Sequence, residues 1–159
     1  LQLMENILTN GKTSRLYKKL VYENKKALDC YGWVQELSEP GLFMFQVSGI
    51  PDQDISLAIS LLEEELELIK KDGVTDTEIL KAKNQINSSY VFSQQSVHTV
   101  SSYIGKYQVY GDTGYINQYI NNINKVNNID IIKVTNAYFN KKNQTIGIMY
   151  PQMEIKDKR

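Results

Sequence analysis

The one histidine, His98, lies in Ser96-Val97-His98-Thr99-Val100, where a neutral imidazole beside several hydroxyls has the makings of a general base for a serine nucleophile. No Gly-x-Ser-x-Gly elbow accompanies it, and no acidic residue stands at a spacing that marks a triad partner, so a hydroxyl-rich helix edge is the better reading. Cys30, the one cysteine, falls among aromatic residues with nothing nearby to lower its pKa; it reads as a small buried apolar residue and not as a nucleophile. Glu63-Glu64-Glu65 and Glu67 suggest a carboxylate cluster, yet at helical spacing they fall mostly opposite Leu62, Leu66 and Ile69, which makes them a solvated face. Gly11-Lys12-Thr13-Ser14 has the outline of the end of a phosphate loop. It lacks the upstream glycine and follows a helix where a strand is needed, so it is rejected.

Elements must position any such groups, and the composition permits a packed domain to do so. The 159 residues carry 18 Lys+Arg against 18 Asp+Glu, with 42% apolar and 23% charged residues. That balance gives no basic footprint for nucleic acid. No apolar run approaches the roughly 20 residues of a membrane span. A single thiol excludes an internal disulfide, and with a single imidazole it excludes a self-contained structural zinc site. No metal or cofactor is expected in this chain.

The chain opens inside an apolar periodic segment, Leu3, Ile7 and Leu8, without a polar lead-in, which reads as a piece of a longer chain. Asn10-Gly11 breaks that helix; Thr13 or Ser14 then caps a second with the stripe Leu16, Leu20 and Val21. Residues 28–35 and 42–50 flank Glu39-Pro40-Gly41 and predict an antiparallel hairpin. Asp52 or Asp54 caps a helix bearing Ile55, Ile59, Leu62, Leu66 and Ile69, which stops at Lys70-Lys71-Asp72-Gly73 with Gly73 in the left-handed cap position. Thr75 and Glu78 form a capping box for the next helix, whose apolar face is Ile79, Ala82, Ile86 and Tyr90. Val97, Val100, Ile104 and Tyr107 resume helical spacing before Gly111-Asp112-Thr113. Tyr115, Ile116, Tyr119, Ile120 and Ile123 predict another amphipathic helix, and Asn127 or Asn128 caps a short one through Ile132, Ala137 and Tyr138. Thr145 to Tyr150 predicts a closing strand ended by Pro151, with a polar tail from Gln152.

This order lacks β-α-β alternation and internal repeats, so the expected class is α+β, with 1–159 a single domain and an antiparallel sheet packed by several helices. Two hairpin strands and one late strand make a thin sheet, which a strand before Leu1 would thicken.

The segment Ile7-Leu8 … Gly11-Lys12-Thr13-Ser14-Arg15-Leu16-Tyr17-Lys18-Lys19-Leu20-Val21 resembles the opening of the C-terminal, non-zinc half of the pitrilysin/insulinase family of zinc metallopeptidases, the inverzincins. The likeness continues through Ala27-Leu28-Asp29, Glu39-Pro40-Gly41-Leu42-Phe43, Gly73-Val74-Thr75 … Glu78 … Lys81-Ala82-Lys83-Asn84-Gln85, Tyr107 … Tyr110-Gly111-Asp112 and Thr145 to Pro151. It implies a ferredoxin-like α+β half of a clamshell. The N-terminal half holds zinc through His-x-x-Glu-His and a later Glu, and the C-terminal half closes over peptide substrate. No His-x-x-Glu-His occurs here, so zinc is expected in the partner half, in the same polypeptide or in a separate subunit.

The resemblance also implies an Arg and a Tyr, seven residues apart, that reach from this half to substrate and developing oxyanion. With Ala27 as the anchor these positions fall on Val21 and Leu28, neither of which donates a hydrogen bond from its side chain. The pair is thus replaced, Tyr22 or Tyr31 could substitute in part, and no catalytic or metal-binding residue is assigned in this chain. Arg15 and Tyr17 match a family sequence motif and are expected to serve packing and capping. The leading expectation is the chamber-closing domain of a zinc endopeptidase, inactive alone; the alternative is a non-catalytic scaffold or assembly subunit of the same family.

Overall fold

The structure is a computed structural model that describes residues 1–37, 39–51, 53–110 and 114–150. Asp52, Gly111-Asp112-Thr113, Pro151 and the tail from Gln152, all named above, lie outside the described residues.

Helix α1, Gln2–Thr9, turns Leu3, Met4, Ile7 and Leu8 inward at the expected three- and four-residue spacing. Asn10 ends it and Gly11, at φ 82°, reverses the chain in the left-handed region where a Cβ is penalised. Ser14 begins a single α-turn, α2 at Arg15–Tyr17, which passes without a break into a π-helical stretch, Lys18–Glu23. Leu16 and Leu20 are fully buried there, as their stripe predicts. The widened turn shows in the bond from the Asn24 amide to the Lys19 carbonyl, 3.1 Å. Lys25 then leaves the helix at φ 50°.

Strands β1, Ala27–Val34, and β2, Phe43–Gly49, pair antiparallel from Val34 opposite Phe43 to Ala27 opposite Gly49. The register shifts between Ala27 and Asp29, so one extra residue, Leu28, is accommodated. Beyond that shift Cys30, Gly32 and Val34 share one face with Val47, Phe45 and Phe43. This face meets the core: Thr9 of α1 abuts Gly32, and the Phe43 and Phe45 rings lie 4.9 and 6.1 Å from Phe139.

Asp54 caps α3, Ile55–Asp72, by accepting the Ser56 amide at 2.9 Å. Gly73 follows at φ 73° and ψ −148°, outside the left-handed helical well; the chain is extended there because the Asn128 side chain takes the Val74 amide at 2.8 Å. Helix α4, Asp76–Ser93, opens with the predicted capping box, the Thr75 amide donating to Glu78 Oε2 at 2.8 Å. Helices α5, Val97–Val109, α6, Tyr115–Lys125, and α7, Asn128–Tyr138, complete the helical layer. Asn127 caps α7 in a second reciprocal box with Asp130. The architecture is α+β, with, among the described residues, a two-stranded antiparallel sheet carrying helices on one face.

Two further expectations differ. Helix α5 forms, but Val97 and Ile104 are exposed, since among the described residues no other element covers that side. Residues 145–150 are exposed and form no strand, because a strand needs a neighbour for its backbone groups and, among the described residues, β2 is paired only with β1.

Candidate functional site

The sheet is covered on one face and open on the other. Asp29, Tyr31 and Trp33 alternate with the core residues and therefore project outward beside Ser48, Gln46 and Met44 of β2. Leu28, at the register shift, is 59% exposed, Tyr31 53% and Trp33 39%. Tyr22, at the end of the π-helical stretch, is equally open, and its ring stands edge-on to Tyr17 at 5.5 Å. Tyr31 donates its hydroxyl to Asp29, and that bond, with the carboxylate charge, raises the Tyr31 pKa and keeps the phenol protonated. The result is an aromatic shelf with few charges, a surface suited to apolar and backbone groups of an extended chain.

Behind the shelf a charge cluster holds the π-helical stretch in place. Arg15 grips Glu78 with two bonds, Nε to Oε1 at 2.6 Å and Nη2 to Oε2 at 2.7 Å, and sends Nη1 to Glu65 at 3.1 Å. Lys19 reaches Glu64 at 3.0 Å and Glu65 at 3.3 Å. Arg15 chiefly, together with the Thr75 amide and hydroxyl, holds the Glu78 carboxyl down at about 2 against the cost of burial. Glu65 corrects the solvated-face expectation: it is 8% exposed, because it faces α2 and is neutralised by two cations. Glu64 and Glu67 are exposed as expected, and Glu63 pairs with Lys141. Arg15 therefore joins three helical segments.

The other candidates are not brought together. His98 is exposed in the first turn of α5, and its imidazole forms no hydrogen bond among the described residues. Cys30 is buried against α1, which, with Asp29 beside it, pushes its thiol up to about 12. Val21 packs against the core from the π-helical stretch, while Leu28 points to solvent. Among the described residues no three His, Cys, Asp or Glu side chains gather as a metal site, and an exposed imidazole and a buried thiol do not fit zinc. Among those residues, no helix is long and apolar enough to cross a membrane. Sequence reasoning missed the π-helical stretch and the register shift; the only local signal for either was Lys25 where a glycine would be easier.

The family model of the peptidase M16 inactive domain matches residues 1–86. The chain belongs to that family.

As an M16 inactive domain it has relatives of known name. It is 23% identical over 151 residues to the zinc protease PqqE of Helicobacter pylori, covering 95% of this chain and 34% of that protein. It is 24% identical over 126 residues to the uncharacterized zinc protease YmxG of Bacillus subtilis, covering 79% of this chain and 31% of that protein. The chain thus spans about a third of the length of these relatives. Among solved structures, the inactive peptidase domain of a Bordetella parapertussis protein superposes with a TM-score of 0.87 at 22% identity, over 97% of this chain and 84% of that one. A protease from Helicobacter pylori gives 0.85 at 22% identity, over 89% of this chain and 34% of that one. These likenesses show the fold, that of an M16 inactive domain.

Proposed function

We propose that this M16 inactive domain is the closing half of a zinc peptidase chamber, with the zinc-bearing N-terminal half supplied by the same polypeptide or by a separate subunit. Peptide substrate passes over the open face of the β1–β2 sheet. The observation that carries the reading is the aromatic shelf of Tyr22, Leu28, Tyr31 and Trp33 on a sheet whose other face is fully used by the core. An extended peptide meets rings and backbone there, which binds chains of varied sequence because every peptide has a backbone and most have apolar groups.

The family positions for Arg and Tyr fall on Val21 and Leu28, so this half offers no side-chain donor at them to a developing oxyanion. Its contribution is enclosure and substrate alignment: excluding bulk water and holding the chain across the zinc half strengthens every electrostatic interaction made there. Several curated relatives are named zinc proteases, which supports the peptidase reading over a scaffold subunit.

The test is complementation. The zinc-bearing half is assayed for hydrolysis of an unfolded peptide with and without this domain. Dependence of turnover on the domain, weakened by Trp33→Ser with Tyr31→Ser, is the expected result. Equal activity of the zinc half alone would sink the proposal.

A further inference from the structure

Away from the shelf, a cavity of about 240 Å³ opens between the start of α1, the end of β1 and helices α4, α5 and α6. Its walls are tyrosine rings: Tyr90 from α4, Tyr103 and Tyr107 from α5, and Tyr119 from α6. Tyr90 and Tyr119 pack at 5.4 Å with their rings tilted by 35°. The polar groups among them are mostly acidic or neutral, with Glu5 rising from α1, Glu36 following β1, and Gln2 beside them.

We infer that this cavity is a cation site, shaped for the guanidinium or ammonium tip of a basic side chain. The protein already displays that chemistry at the rim. Lys106 Nζ sits 5.8 Å from the centre of the Tyr107 ring and 5.7 Å from that of Tyr110, and Glu36 holds it at 2.5 Å. A second carboxylate, Glu5, has no such cation. It accepts the Val34 amide at 3.3 Å and forms no ion pair among the described residues. Burial, the largest influence, raises the Glu5 pKa, so its charge is held away from water with no cation paired to it among the described residues.

The alternatives fit less well. An anion would face two carboxylates, and the only lysine in the lining among the described residues is already bound to Glu36. A wholly apolar ligand would strip water from Glu5 and return nothing to it. A planar guanidinium can lie on a tyrosine face and present its edge to Glu5, so both surfaces are used. Burial first, and the Glu36 charge next, push the Tyr107 phenol up to about 12 and raise Tyr119 likewise, so the walls remain neutral rings in a negative local field. This site is independent of the chamber reading, since it rests on residues that do not belong to the shelf.

The experiment is a titration of the chain followed by amide chemical shifts of Glu5, Tyr103 and Lys106. The probes are n-butylguanidinium, its neutral counterpart n-butylurea, and a short peptide carrying one Arg or one citrulline. Saturable binding of a guanidinium probe, with the urea or citrulline partner weaker by about tenfold or more, is expected. Tyr103→Leu and Glu5→Gln each weaken binding by about tenfold, whereas Tyr103→Phe, which keeps the ring, stays within about twofold. Thermal melts confirm that the variants fold, and Tyr103→Leu decides the matter if Glu5→Gln does not. Tighter binding of the Arg peptide than of butylguanidinium assigns the site to a peptide side chain; the reverse assigns it to a small free cation. Equal binding of the charged and neutral probes, no saturable shift at these amides, or an unaffected Tyr103→Leu overturns the inference.

Discussion

Arg15 and Glu78, 63 positions apart, meet in a two-pronged ion pair with bonds of 2.6 and 2.7 Å, and the same Glu78 closes the capping box of α4 through Thr75. One carboxylate therefore serves a local and a long-range purpose. Its folded-state pKa, about 2, lies below its ordinary value of 4.5, so the stability it contributes is present above pH 4.5 and is lost as pH falls toward 2. The group is partly exposed, and after screening by solvent the contribution is about 1–2 kcal/mol. Urea titrations at pH 5.5 and pH 3 should show the wild type losing more stability on acidification than Glu78→Gln. Parallel losses in the two proteins would remove the pair from the account of acid stability.

Lys25 occupies φ 50° after the π-helical stretch, a conformation in which a Cβ is strained. Lys25→Gly is expected to raise unfolding stability by up to about 1 kcal/mol, the relieved strain exceeding the added freedom of the unfolded chain, while Lys25→Val lowers it. The midpoint of urea unfolding separates the three.

Gly73 carries φ 73° and its missing Cβ leaves room for the Asn128 amide, which caps the Val74 N–H. Gly73→Ala should cost about 2–3 kcal/mol. Part of that cost is collision with Asn128, so the same change made in an Asn128→Ala background should cost measurably less; additive losses in the double-mutant cycle would show that backbone strain acts alone.

Cys30 is 1% exposed with its thiol pushed up to about 12. Alkylation by iodoacetamide at pH 8 should be slower than that of the unfolded chain by about a hundredfold or more, and should speed up across the unfolding transition. Rapid labelling of the native protein would contradict the burial.

Val21→Arg with Leu28→Tyr would place side-chain donors at the two positions that the family resemblance implies. In the chamber reading, the assembled enzyme should turn peptide over faster, by about tenfold if one oxyanion contact is regained. A rise in kcat at unchanged KM is the signature, and no gain would argue that the geometry of this half no longer admits the pair.

The elements legible from sequence are those set by neighbours in the chain. Asp54 and Thr75 with Glu78 mark helix starts because a capping bond spans only two or three residues. The hairpin, the Leu16 and Leu20 stripe and the buried Cys30 follow from composition and period in the same way. The sequence by itself also showed that these 159 residues contain no His-x-x-Glu-His. Tertiary structure alone decided the rest. Glu65 is buried because Arg15 and Lys19, about fifty residues away in the chain, converge on it, and a helical wheel cannot know which face a distant cation will approach. The register shift that exposes Leu28 depends on how β1 meets β2, and the tyrosine cavity exists only because α4, α5 and α6 bring rings together around Glu5. Periodicity reports which face of an element is apolar; whether that face is covered is settled by the packing of elements remote in sequence, as the exposed side of α5 and the unpaired residues 145–150 show.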